Sequence, residues 1–235
     1  MSDARSVDYQ TATSIVLSKI PVNYMWSMLR PAALVNLINR NAQKPLCVKT
    51  HSANCYINEI PLIPRDLTAK AIYLVRDPRD VVISYSNHMG IDIDLAIKAL
   101  NQPDMVLMSP GEVPQFTLSW SKNTESWACR QYDYDVFWIR YEDLLVRPEE
   151  YFTKIIEIIF NKSPEPESFK RALEISKFDN LQKYEAEVGF REKGEKSDKF
   201  FKRGYAGYWK DILTPKQVLA IEEPNQKMMK FFNYL

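Results

Sequence analysis

"KAIYLVRDPRDVVISYSNHM", residues 70–89, changes its periodicity partway along. Its first six residues are a short, largely apolar run, which reads as a buried strand ending at Val75. Asp77 then offers a carboxylate able to accept the free N–H groups of a helix start. Pro78 has the fixed φ that suits the first helical residue. Behind them "RDVVISYSNHM" continues as a helix. A strand, a tight turn and a helix in immediate succession form the building unit of α/β proteins.

Reading outward from this unit, "YDVFWIRY" at 134–141 is a further strand, and Pro148 opens the amphipathic helix "PEEYFTKIIEIIF". Upstream, "PLCV" at 45–48 is a shorter strand-like run, preceded by helical pieces around "IVLSKI" and "PAALVNLINR" within residues 1–44. In "VPQFTLSWSKNTESWACRQY", residues 113–132, Phe116, Trp120 and Trp127 are spaced for one face of a helix that follows a proline-bearing loop at 103–114. From Glu165 on, the chain is mostly helical in pattern and rich in Lys, Phe and Tyr. Short strands alternating with longer helices predict an α/β fold, with a mainly parallel central sheet flanked by helices. In such a sheet ligands bind at the C-terminal ends of the strands. The six glycines and fourteen prolines show no period and form no linker, so one domain is expected over 1–235.

Composition narrows the function. In 235 residues, 46% are hydrophobic and 26% charged, as in a globular protein with a substantial core. A net charge of +1, from 31 basic and 30 acidic residues, argues against a nucleic-acid partner; any anion site must be a local cluster. Cys47, Cys55 and Cys129 are odd in number and lack close paired spacing. They predict neither a disulfide framework nor a zinc knuckle, and they fit a reducing, cytoplasmic setting. No apolar run approaches the roughly 18 residues of a membrane span, and the N-terminus has no signal-peptide core.

Basic groups follow the predicted strands: Lys49 and His51 after "PLCV", and Arg76 with Arg79 after "KAIYLV". Taken alone, His51 fits a structural histidine as well as a general base. If the backbone stays extended, Lys49 and His51 project to the same side. A histidine that takes a hydroxyl proton, beside a lysine that neutralises an anionic leaving group, suits group transfer. After the second strand, Arg76, Ser84 and the start of the helix suit a phosphate. The alternative is that Arg76 only pairs with Asp77 or Asp80. In "DKFFKRGYAGYWKD", 198–211, glycines sit among aromatic residues just after Lys202 and Arg203. That segment is either a grip on anionic oxygens or a solvated basic loop. His88 reads as a partly exposed structural residue.

Several of these segments, in order, resemble the sulfotransferases that use 3′-phosphoadenosine 5′-phosphosulfate (PAPS). "VKTHSA" is similar to the family's Lys-Thr-His segment, which implies His51 as catalytic base and Lys49 at the sulfonate-bearing end. "IYLVRDPRDVVISYSNH" resembles the 3′-phosphate segment, implying Arg76 and Ser84. "WIRYEDLLVRPEEYF" resembles the stretch that presents a tyrosine, here Tyr141, to the nucleotide, and "LEISKFDNLQKYE" one that lays an aromatic residue, here Phe178, near the adenine. "FFKRGYAGYWKDILTPKQ" resembles the basic Gly-x-x-Gly-x-Trp segment closing over the 3′-phosphate, implying Lys202, Arg203 and Gly204. The family commonly has Arg then Lys at 202–203, and Asp where this chain has Tyr208.

The resemblance implies a sulfotransferase fold akin to that of P-loop NTPases, with PAPS as donor, 3′-phosphoadenosine 5′-phosphate (PAP) as product and no metal. A hydroxyl on a small molecule or glycan would be the acceptor, in a pocket lined by the N-terminal helices and a variable loop at 89–118. The family's N-terminal strand and Lys/Ser/Gly/Thr-rich loop around the 5′-phosphosulfate have no counterpart in residues 1–44, so the domain is expected to be incomplete at that end. A PAP-binding module without turnover is therefore the alternative to an enzyme. "WKDILTPKQV" matches the family's dimer contacts only loosely and leaves a homodimer open. A P-loop kinase would need a Gly-Lys-Ser/Thr loop, which the sequence does not show.

Overall fold

The computed structural model describes residues 47–57, 60–108, 114–128, 135–194 and 197–235. The chain divides into two compact units. One contains the described residues from Cys47 to Ala71 with those between Gln102 and Phe137, the other those of Ile72–Asn101 with Trp138–Leu235. Strands β3 (Lys70–Val75) and β4 (Asp135–Arg140) are neighbours in a parallel sheet, and a two-residue antiparallel ladder joins β1 (Tyr56–Ile57) to β2 (Ile60–Pro61). With the helices that follow the strands, this is an α/β fold.

Helix α1 (Pro78–Met89) begins where the sequence places it. Asp77 Oδ1 accepts the Arg79 N–H at 2.9 Å, and Pro78 occupies the first turn. Gly90 ends the helix in the left-handed region at φ 61°, a conformation costly for a residue with a Cβ. The buried face of α1, Val82 and Ile83, meets Ala96 and Ile97 of α2 (Ile93–Asn101) and Ile221 of α8 (Pro215–Phe231). Each large aliphatic side chain so buried contributes about 1.5–3 kcal/mol. Helix α8 starts in a reciprocal cap: Thr214 Oγ1 accepts from Gln217 N–H, and Gln217 Oε1 accepts from Thr214 N–H. Its C-terminal end buries Met228 and Met229, and Trp138 of β4 packs edge-on against Phe231 and Phe232.

Helices α4 (Tyr141–Val146), α5 (Pro148–Phe160), α6 (Pro166–Ile175) and α7 (Phe178–Val188) complete this unit. Both β3 and α5 occupy the spans read from the sequence. His88, half-buried, lies edge-on to Phe200 with ring centroids 6.4 Å apart, as a structural histidine would.

Three expectations are corrected. Cys47 and Val48 of "PLCV" are exposed and lie in no strand; Pro45 and Leu46 lie outside the described residues. A strand needs a neighbour for its peptide groups, and the residues just beyond are held by side chains instead. The helix read over 113–132 is α3 (Trp120–Ala128). Ser119 opens it, accepting the Lys122 N–H on Oγ and the Asn123 N–H on its carbonyl. Phe116 belongs to the extended stretch before it, where Gln115 pairs with Leu107. Residues 93–101, read as part of a variable loop, form α2, because Ala96 and Ile97 are core residues. The helical pieces read within 1–44, and Cys129, lie outside the described residues.

Candidate functional site

Lys49 and His51 belong to the first unit, where both are exposed. From Thr50 to Asn54 the chain is held by the stretch before α3 and by α3 itself. Gln115 Oε1 accepts from Thr50 Oγ1 at 3.0 Å, from the His51 N–H at 3.1 Å and from Ser52 Oγ at 3.4 Å. Asn123 Nδ2 donates to the carbonyls of His51 and Thr117, at 3.2 and 2.8 Å. Ser52, Ala53 and Asn54 are buried. The Ala53 N–H donates to the Phe116 carbonyl, the Asn54 N–H to Ser126 Oγ at 2.9 Å, and Trp127 Nε1 to the Ser52 carbonyl at 3.2 Å. The exposed His51 thus stands on a backbone bonded at both its N–H and its carbonyl, with the exposed Lys49 two residues before it.

The second unit brings together Arg76, Tyr141, Phe178, Lys202, Arg203 and Gly204. Arg76, just past β3, lies over the Tyr141 ring, its Cζ 4.4 Å from the centroid. It also donates to the Tyr208 hydroxyl at 3.3 Å and stands 3.9 Å from Asp80 Oδ2. The pairing with Asp80 foreseen as an alternative is thus present, at a longer distance than the hydrogen bond to the Tyr208 hydroxyl. Arg203 has its Cζ 5.0 Å from the Tyr208 centroid. Lys202 Nζ donates to Asn87 Oδ1 at 3.4 Å; Ser84, exposed, lies one turn earlier on the same face of α1. Gly204 rests on the Phe178 ring so closely that a Cβ would stand 2.6 Å from Phe178 Cγ, so no larger residue fits without displacement.

Two residues outside the expected set hold this arrangement. Asp80, fully buried, accepts the N–H groups of Gly207 at 2.7 Å and Trp209 at 3.1 Å, which ties the glycine loop to the first turn of α1. Burial pushes its carboxyl above the usual range, opposed by those two N–H groups and by Arg76. Tyr208, between the two donors, is buried in the core. Neither could be found from local pattern, because the contacts join positions far apart in sequence. Arg79, read as a basic group beside Arg76, is committed to structure. It binds Asp77 through two nitrogens, Glu222 Oε1 at 2.6 Å and the Tyr234 carbonyl at 2.8 Å, and lies over the Trp209 ring. Among the described residues no cluster of His, Cys, Asp and Glu could hold a metal ion, and no helix is long and apolar enough to cross a membrane.

The family model for the sulfotransferase domain matches residues 7–233. Over 184 residues, or 76% of the chain, 24% are identical to cytosolic sulfotransferase 13 of Arabidopsis thaliana, of which 57% is covered. The rat sulfotransferase 1A1 is 26% identical over 188 residues, 74% of the chain and 59% of its own length. For the mouse sulfotransferase 1 family member D1 the identity is 24% over 214 residues, 83% of the chain and 65% of the relative. The chain therefore spans less than two thirds of the length of these relatives. Among solved structures, mouse sulfotransferase SULT7A1 complexed with PAP superimposes with a TM-score of 0.60 at 18% identity, over 83% of this chain and 70% of that one. A retinol dehydratase in complex with androsterone and the inactive cofactor PAP gives 0.54 at 21%, over 86% and 61%. These likenesses are of fold.

Proposed function

The chain belongs to the sulfotransferase domain family, and from that premise we propose that it moves a sulfonate group from PAPS to a hydroxyl acceptor by in-line transfer. The observation that supports this most is the cluster of Arg76, Lys202 and Arg203 in one unit, gathered by Tyr141, Tyr208 and Asn87. Three cations in so small a region of a chain with net charge +1 are a local site for an anion, and a nucleotide 3′-phosphate has the matching charge and oxygens. Phe178, against Gly204 of the same loop, offers a ring for an adenine to lie on.

In this reading Arg76, Ser84, Lys202 and Arg203 hold the 3′-phosphate, Tyr141 and Phe178 the nucleoside, and Gly204 lets the loop close. His51 takes the proton of the acceptor hydroxyl as its oxygen bonds to sulfur. The bond from sulfur to the 5′-phosphate oxygen breaks as the new one forms, and PAP leaves with that electron pair; Lys49 offsets the charge gathering there. The neighbour solved with androsterone favours a small hydroxyl-bearing molecule over a glycan as acceptor. The cytoplasm is the proposed setting.

The test is a mass-spectrometric sulfonation assay with PAPS and a panel of phenols, sterols and other alcohols, run on this chain and on an N-terminally extended form, beside calorimetric titration with PAP. Transfer by either form supports the proposal. PAP binding without transfer by either points to a nucleotide-binding module. Neither binding nor transfer overturns both.

A further inference from the structure

We infer that Tyr208 is a positioning residue of the nucleotide site, a neutral platform that fixes two phosphate-facing guanidinium groups while leaving their charge available to a ligand. The inference rests on the proposed 3′-phosphate site and adds to it a residue at the position where the family segment commonly carries an aspartate.

Tyr208 is held in place from several sides. Tyr208 is only 5% exposed and packs with Val82, Ile83, Ala96, Ile97, Leu213 and Ile221. The residues on either side of it are pinned by their N–H groups to the buried Asp80 carboxylate, at 2.7 and 3.1 Å. Its hydroxyl donates to the Asp80 carbonyl at 3.2 Å while accepting from Arg76 Nη2 at 3.3 Å. Gly207, at φ 82°, provides the left-handed turn that admits the ring.

The ring so held attracts two cations. Arg76 Cζ lies 5.6 Å and Arg203 Cζ 5.0 Å from its centroid, both within the range of cation–π attraction. These arginines are far apart in the unit's sequence, one in the turn after β3 and one in a loop without regular structure. Arg203 is exposed, and a long exposed side chain loses considerable rotamer freedom when it is fixed. An aspartate at 208 would also attract both arginines, but it would neutralise part of the charge that a phosphate needs. The phenol attracts them and stays uncharged, since burial pushes its proton affinity up.

The decisive measurement is the ratio of affinities for PAP and adenosine 5′-phosphate, which differ only in the 3′-phosphate. In the parent protein PAP is expected to bind at least about tenfold more tightly, as charge-assisted hydrogen bonds to one phosphate allow. Tyr208→Leu keeps apolar bulk but removes ring and hydroxyl; it should cut PAP affinity about tenfold and leave adenosine 5′-phosphate binding unchanged. Tyr208→Phe restores the ring and should lose only about threefold. A merely structural role would weaken both ligands together, and that result overturns the proposal, as does a Leu variant with the parent's ratio. If the Leu variant does not fold, the Phe variant decides: an unchanged ratio overturns the inference. A parent protein that fails to discriminate the two nucleotides overturns the 3′-phosphate reading itself, whatever Tyr208 does.

Discussion

The segment Thr50–Asn54 and the cluster around Tyr208 hold functional side chains in opposite ways. Around His51 the scaffold is neutral: a carboxamide oxygen, a second carboxamide and hydroxyls grip the backbone, while Lys49 and His51 are exposed. Around Tyr208 the charged groups are themselves part of the packing, with guanidinium groups laid over rings. The first arrangement leaves the chemistry of a side chain separable from the fold, whereas the second ties ligand binding to the aromatic core.

His51→Ala puts that contrast to the test. The substitution leaves in place the bonds of Gln115 and Asn123 to the His51 backbone. Turnover is expected to fall by about 10²–10⁴, the usual worth of a general base, with PAP affinity and melting temperature unchanged. Loss of folding, seen by circular dichroism, would show instead that the histidine is structural.

In the second region the same operation should hit binding. Arg76→Ala removes a cation set over Tyr141 and bonded to Tyr208. PAP affinity measured by calorimetry should fall about 10–100-fold, as expected for hydrogen bonds to a charged group, and turnover at saturating PAPS should change less. A fall in turnover with unchanged affinity would erase the distinction between the regions.

How far each region was legible in the sequence follows from the same physics. Helix α1 could be read because Asp77 and Pro78 act within one turn, and β3 and α5 because apolar pattern and Pro148 are local signals. "PLCV" looked like a strand, but apolar content cannot supply a ladder partner. The face drawn through Phe116 ran past Ser119, whose hydroxyl starts the helix only at Trp120. At the site, Arg76 and Arg203 could be listed from motif, yet the ring beneath both could not, because Tyr208 reaches Asp80 across 128 positions. Gln115 was invisible for the same reason, meeting His51 across 64.

Gln115 gives the third test. Gln115→Ala removes one oxygen that accepts from Thr50, His51 and Ser52 together. The expected cost is about 1–3 kcal/mol in urea unfolding, with turnover lowered about tenfold by the loosened His51 backbone and PAP affinity retained. Unchanged turnover would mean that the clamp serves stability alone.

The smallest effect concerns charge built into packing at the C-terminus. Tyr234, 9% exposed, donates its hydroxyl to Glu142 Oε2 at 2.8 Å, and Arg140 lies over its ring. Burial first, and the Glu142 charge second, push its proton affinity well above that of a free phenol, against a smaller opposing pull from Arg140. The folded state therefore keeps this proton at a pH where the unfolded chain has released it. The stability so gained is complete below about pH 10 and is lost as the pH rises toward the folded value, by about 1.4 kcal/mol per pH unit. Tyr234→Phe has no proton to release, so unfolding free energies between about pH 10 and 11 should decline less steeply than in the parent, by up to that amount per unit. At neutral pH the variant should lose only about 1 kcal/mol, the hydrogen bond to a carboxylate that still accepts from the Asp77 N–H at 3.0 Å. Equal slopes for parent and variant would show that this phenol is not held protonated by its surroundings, and that the interlocking of charge with packing stops short of the C-terminus.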